Sequence, residues 1–143
     1  MKINDVIHAK SKQAVVTISP DATVRELIAL LAEHNVGALV VSDDGERVAG
    51  IVSERDVVRR LHADEAVLDA PVSQIMTSEV RTCAAEDGVT DLMQTMTEHR
   101  IRHVPVVADG RLTGIISIGD VVKSRIGQLE FERDQLDHYV HQT

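Results

Sequence analysis

Two tetrapeptides carry the densest chemistry in the sequence, Ser53-Glu54-Arg55-Asp56 and Ser117-Ile118-Gly119-Asp120. Each sets a hydroxyl three residues ahead of a carboxylate, where a β-rich run gives way to a helical pattern. A helix start leaves backbone N–H groups unpaired and carries partial positive charge, so it favours anions such as phosphate. Ser53, Ser117 and Arg55 add side-chain donors for phosphate. A carboxylate can accept both hydroxyls of a ribose, which makes Asp56 and Asp120 candidates for that contact. The same spacing is also that of a capping box, in which the serine bonds forward and the acid reaches back. Both readings fit.

A second constellation is His99-Arg100-Ile101-Arg102-His103-Val104-Pro105. Arg102 offers a planar fork of donors to phosphate, and His103 can donate to phosphate or stack on a base. A solvated basic turn is the other reading. His99 with His103 and His138 with His141 have metal-like spacing, but no third ligand stands near either pair, so no metal site is expected. Cys83 has no catalytic neighbours and takes the place of Ile18 in the repeat below, which suits a buried structural thiol. No P-loop or nucleophile–base pair is present. A catalytic barrel takes about 200 residues by itself, so the chain is not expected to be an enzyme.

These residues are positioned by a duplication. Thr17–Gly45 aligns with Thr82–Gly110 at an offset of 65, and after one gap at Glu46, Arg47–Leu61 aligns with Arg111–Arg125 at an offset of 64. Each copy reads as a βαββα unit. A short apolar run (Val15–Ile18; Val80–Cys83) precedes a helix, whose start in the first copy has Thr23 and Glu26 at capping-box spacing. Val24, Leu27, Ile28 and Leu31 form one helix face, as do Val89, Leu92, Met93 and Met96. A β-rich run follows (Val36–Val41; Val104–Val107), then a turn at Asp43-Asp44-Gly45 or Asp109-Gly110. A second strand (Val48–Val52; Leu112–Ile116) leads into the helix that starts at Ser53 or Ser117. Pro71, Val72, Ile75 and Met76 lie between the copies, with Val6 and Ile7 as an N-terminal counterpart. One repeat alone is too small for a comfortable core, so the two should pack together.

The copies differ where chemistry is expected. Gly37-Ala38-Leu39-Val40 stands where the second copy has Arg102-His103-Val104-Pro105, and Arg55 stands where it has Gly119. The two ligand sites should therefore be unequal. The expected boundaries are residues 1-70 for the first repeat, 71-125 for the second and 126-143 for a C-terminal helical tail. Val122, Ile126, Leu129, Leu136 and Val140 keep helical spacing in and before that tail, interrupted by Arg133. It reads either as a partner-binding helix or as a cover for one end of the core.

Bulk composition narrows the classes of function. The formal charge is -8, and the only aromatic residues are Phe131 and Tyr139. An acidic chain without aromatic platforms suits neither DNA nor RNA. The single cysteine excludes an internal disulfide. No signal-peptide pattern or membrane-length apolar run is seen, which predicts a cytoplasmic protein without a membrane partner.

The segments GIVSERD and GIISIGD, the strand HVPVV (103–107) and SQIMTSEVRT (73–82) resemble a CBS-domain pair, the family named after cystathionine β-synthase. The resemblance covers residues 1 to 125. The tail is further similar to that of small stand-alone bacterial CBS-pair proteins. The resemblance implies an α/β fold of two tandem repeats packed about a pseudo-two-fold axis, with clefts for AMP, ADP, ATP, NAD(H) or S-adenosylmethionine. It also implies a homodimer of pairs, possible further assembly to a tetramer, and a regulatory role without a catalytic cofactor. CBS pairs also occur attached to inosine monophosphate dehydrogenase. On this basis Asp56 and Asp120 are expected to hold ribose, and Ser53, Arg55, Ser117, Arg102 and His103 phosphate. Ile18, Val104 and Pro105 are expected beside the adenine. The alternative is a ligand-free adaptor dimer acting through its C-terminal helix.

Overall fold

The computed structural model describes residues 1–10 and 15–141. The elements run α1 (Ile3–Ala9), β1 (Thr17–Ile18), α2 (Val24–His34), β2 (Ala38–Val41), β3 (Gly50–Ser53) and α3 (Glu54–Ala63). Two 3-10 turns follow, Glu65–Asp69 and Val72–Gln74, and then α4 (Val89–His99), β4 (His103–Ala108), β5 (Arg111–Ser117) and α5 (Ile118–Val140). β1 pairs parallel with β2, which pairs antiparallel with β3. β4 and β5 form a two-stranded sheet. This is the mixed α/β, two-repeat architecture with a C-terminal helix that the sequence implied.

The duplication is visible in the backbone. Ile18 pairs parallel with Val41, and their counterparts Cys83 and Val106 form a parallel bridge. α2 ends on Asn35 at φ 51° and α4 on Arg100 at φ 54°. The left-handed conformation suits asparagine and is uncommon for arginine. The turns place Gly45 at φ 80° and Gly110 at φ 77°, where a side chain would be strained. α2 starts with the Thr23–Glu26 capping box, whose two bonds are 3.0 and 3.1 Å long.

Each repeat is completed by a segment from the other half of the sequence. Val72 N–H bonds Ala22 C=O at 2.7 Å, Ser73 N–H bonds Pro20 at 3.0 Å and Val24 N–H bonds Ala70 at 3.0 Å. Ile3 with Asp87, Asn4 with Ala85 and Val89 with Met1 make the same three bonds at 2.9 to 3.1 Å. The N-terminal segment is thus the counterpart of Pro71–Met76, but it docks on the second repeat, while the inter-repeat segment docks on the first. Ile3 and Val72, equivalent residues in the two segments, are fully buried.

The compact units consequently cut across the repeats. One joins the N-terminal segment, Ala85–His103 and the chain from Ile116 onward. In it α5 contacts α1 and α4, and Val6, Leu92, Met96, Ile116 and Val121 are buried. The other contains residues 15–84 together with Val104–Ile115. Its core is Ile18, Val24, Leu27, Leu31, Leu39, Val41, Val52, Val57, Val72 and Ile75.

Several local expectations shift. The run at Val15 is a strand only over Thr17–Ile18, and Val80–Cys83 contributes a single bridge. Ile28 and Met93, equivalent positions assigned to helix core faces, are exposed, because the buried stripe is carried by Val24, Leu27 and Leu31 and by Val89, Leu92 and Met96. Cys83 is half-buried rather than buried, and its thiol lies 3.7 Å from Pro105 C=O. The tail is helical as expected, α5 running from Ile118 to Val140 with Arg133 standing among its apolar positions.

Candidate functional site

Both Ser-x-x-Asp segments form capping boxes. Ser53 N–H donates to Asp56 Oδ2 at 2.9 Å, and Asp56 N–H donates to Ser53 Oγ at 3.3 Å. Ser117 N–H donates to Asp120 Oδ2 at 2.9 Å, and Asp120 N–H donates to Ser117 Oγ at 3.1 Å. The capping reading therefore holds at both helix starts. It leaves room for the other one, since each bond that the two carboxylates accept falls on Oδ2. Among the described residues no donor meets Oδ1 of Asp56 or Asp120.

The residues just before β2 and β4 reach these helix starts. Glu54 N–H bonds Gly37 C=O at 2.9 Å, and Ile118 N–H bonds Arg102 C=O at 2.8 Å. Two first-turn N–H groups of each helix are thereby spent within the protein. Arg102 and the adjoining His103 stand at the start of α5 with Ser117 and Asp120, and Gly37 takes that place at α3. The α3 site gains only Arg55, which is exposed. The two helix starts thus have different neighbours.

Lys10, 110 residues before Asp120, is the residue that sequence reasoning missed. Its Nζ lies 2.8 Å from Asp120 Oδ2, the side chains being 36% and 22% exposed. Burial raises the pKa of the Asp120 carboxyl, but bonds from Lys10 and Ser117 outweigh it and hold the group below the ordinary aspartate value. No cation pairs with Asp56 among the described residues. Nothing local marks Lys10, since it follows a short amphipathic helix and has no counterpart in the repeat alignment.

The three residues expected beside adenine, Ile18, Val104 and Pro105, are all buried. Ile18 belongs to the core cluster, and its carbonyl accepts Ser42 N–H at 2.9 Å. The Pro105 carbonyl accepts Cys83 N–H at 3.0 Å. Pro105 has no N–H to donate, so its place in β4 costs one ladder bond. Gly50 proves to be a close-approach glycine. A Cβ there would stand 2.7 Å from Met76 Sδ and 2.8 Å from Thr77 C=O, and its neighbour Ile51 exchanges two backbone bonds with Thr77. No helix among the described residues is long and apolar enough to cross a membrane.

Comparison with known proteins returns one family twice. The model of the CBS domain matches residues 4–63 and 72–127. CBSX3, a mitochondrial CBS domain-containing protein of Arabidopsis thaliana, is 38% identical over 146 residues, 96% of this chain and 71% of that one. The crystal structure of a CBS-domain containing protein from Agrobacterium tumefaciens is 43% identical at a TM-score of 0.83, covering 87% of this chain and 99% of that one. The CBS domain pair of protein MJ0100, solved in complex with 5-methylthioadenosine and S-adenosyl-L-methionine, is 25% identical at a TM-score of 0.77, covering 90% and 98%.

Proposed function

Since the chain belongs to the CBS-domain family, we propose that it is a non-catalytic regulatory module that binds an adenine nucleotide of the AMP, ATP or NAD(H) type and alters its partner contacts on binding. The observation that carries this reading is the repeated helix start. At two equivalent places a carboxylate is held by its own capping box through Oδ2, with Oδ1 left to accept ribose hydroxyls. The adenosine-based ligands of the MJ0100 pair support the same ligand class.

Asp56 and Asp120 are assigned to ribose, and Ser53, Arg55, Ser117, Arg102 and His103 to phosphate. Ile18, Val104 and Pro105 are assigned to adenine, whose apolar faces suit buried aliphatic surroundings. The α5 site, with Arg102 and His103 beside it, is the better phosphate site. A ligand preferring one conformer shifts the population toward it. A homodimer in the cytoplasm completes the reading, supported by apolar residues exposed at the equivalent positions Ile28 and Met93.

The test is thermal unfolding of nucleotide-free protein with AMP, ATP, NAD, NADH and S-adenosylmethionine in turn. A ligand at about 100 times its dissociation constant stabilises by about 2.7 kcal/mol, a shift of several degrees for this size. Asp120→Ala is expected to weaken binding at least about tenfold, the scale of a lost charge-assisted hydrogen bond, while the protein stays folded. No shift with any of the five would discard the nucleotide reading in favour of the adaptor.

A further inference from the structure

The second half of α5 extends past the CBS-domain match. The family match ends at residue 127, and every described residue from Leu129 to His141 is exposed. A helix end of this length is marginal in water without packing. Its apolar residues are nonetheless ordered. Val122, Ile126, Leu129, Leu136 and Val140, with the charged Arg133 in the one remaining place, are spaced 4, 3, 4, 3 and 4 apart, the a/d stripe of a coiled-coil seam rather than the wider face of a core helix. The stripe is available, since Leu129 is 49% exposed and Ile126, Leu136 and Val140 more so. The buried Val121 faces another side of the same helix.

We infer that α5 pairs with α5 of a second copy, antiparallel, about a centre near residue 131. The charges choose both the occupant and the direction. In the antiparallel register Val122 meets Val140, Ile126 meets Leu136, and Arg133 meets Leu129 of the second copy. Flanking positions then place Lys123 against Asp137 and Arg125 against Tyr139, each twice by symmetry, giving ion pairs and cation–π contacts. The central like pairs, Glu130 with Glu130 and Glu132 with Glu132, lie on either side of the two Arg133 guanidinium groups, which offset them.

A parallel pair is worse on balance. It stacks Arg133 on Arg133 in one buried layer and sets Glu132 against Asp137 twice, with only Arg125 and Glu130 in compensation. It also aligns the two helix dipoles, which the antiparallel pair opposes. Arg133, which among the described residues meets Asp134 at 3.3 Å, is thereby a determinant of direction. Phe131 lies on the opposite face and takes no part.

The experiment uses the full chain. Sedimentation of the wild type and of Leu129→Asp, over micromolar to millimolar concentrations, compares their masses. Leu129 is exposed in the chain, so its replacement leaves the fold and the circular dichroism of the body intact. The expected result is an assembly of half the wild-type mass, with a dissociation constant for the tail contact raised roughly 100-fold, the scale of burying a charge in place of a leucine. Direction is read in a Cys83→Ser background by mixing Leu129→Cys and Arg133→Cys chains under mild oxidation. The antiparallel register gives the mixed 129–133 disulfide in excess of either homodisulfide. An unchanged mass for Leu129→Asp overturns the pairing, and predominant 129–129 disulfide overturns the direction.

Discussion

Lys10→Met is the most informative single change at the α5 site. It removes the cation from Asp120 and keeps an apolar stem of similar length. The contact is short, 2.8 Å, but both side chains keep access to water, at 36% and 22%. Solvent screening and the lysine's rotamer entropy therefore hold its net worth to about 1 kcal/mol. For a chain of this length that lowers the unfolding midpoint by about 3 °C. The folded Asp120 carboxyl lies below the ordinary value of 3.8, burial raising it and the Lys10 and Ser117 bonds lowering it further. A depressed acid stabilises the fold above its unfolded pKa, and that contribution is lost as pH falls through the folded value. The penalty of Lys10→Met is thus full at pH 7 and disappears in acid. Urea unfolding of both proteins, at pH 7 and at the lowest pH where they remain folded, measures it. The second readout is affinity. If one ribose hydroxyl takes Oδ1 and the second reaches Oδ2, the second competes with Lys10, and removing about 1 kcal/mol of competition tightens an adenine nucleotide about fivefold. An equal stability loss at both pH values would refute the ion-pair argument. A clear loss of affinity would show that Lys10 holds the ligand rather than excluding it.

Gly50→Ala should destabilise by about 2 kcal/mol in urea unfolding, because the added methyl meets the Thr77 carbonyl at 2.8 Å and that backbone is tied to Ile51. Ser53→Ala should cost about 1 kcal/mol through loss of the α3 cap, measured the same way. Asp44 should titrate below 3.8 by carboxyl-detected NMR, since Arg47 and Glu46 N–H groups bond its Oδ1 at 2.9 Å each. A midpoint at or above 3.8 would contradict those bonds.

Much of the fold was legible because it is local. The repeat alignment alone anticipates that Ile18–Val41 and Cys83–Val106 share a register, since equal residues at equal spacing fold alike. The capping boxes at Thr23, Ser53 and Ser117 are written within four residues, and the glycine turns within two. Helix faces were less legible. A moment argument treats Ile28 and Met93 as core because it knows the stripe but not its width, and the width is set by what packs above it. The same limit applied to Cys83, whose burial depends on how much of the 80–83 run pairs.

The caps, turns and strand ends that hold the proposed site residues were thus legible in type and in spacing, because they follow from neighbouring residues. Tertiary structure alone decided which of them stand together. It carried Lys10 across 110 residues to Asp120, set Arg102 at the start of α5 and exchanged the two docking segments between repeats. Such contacts depend on the path of the whole chain, and no local preference encodes them.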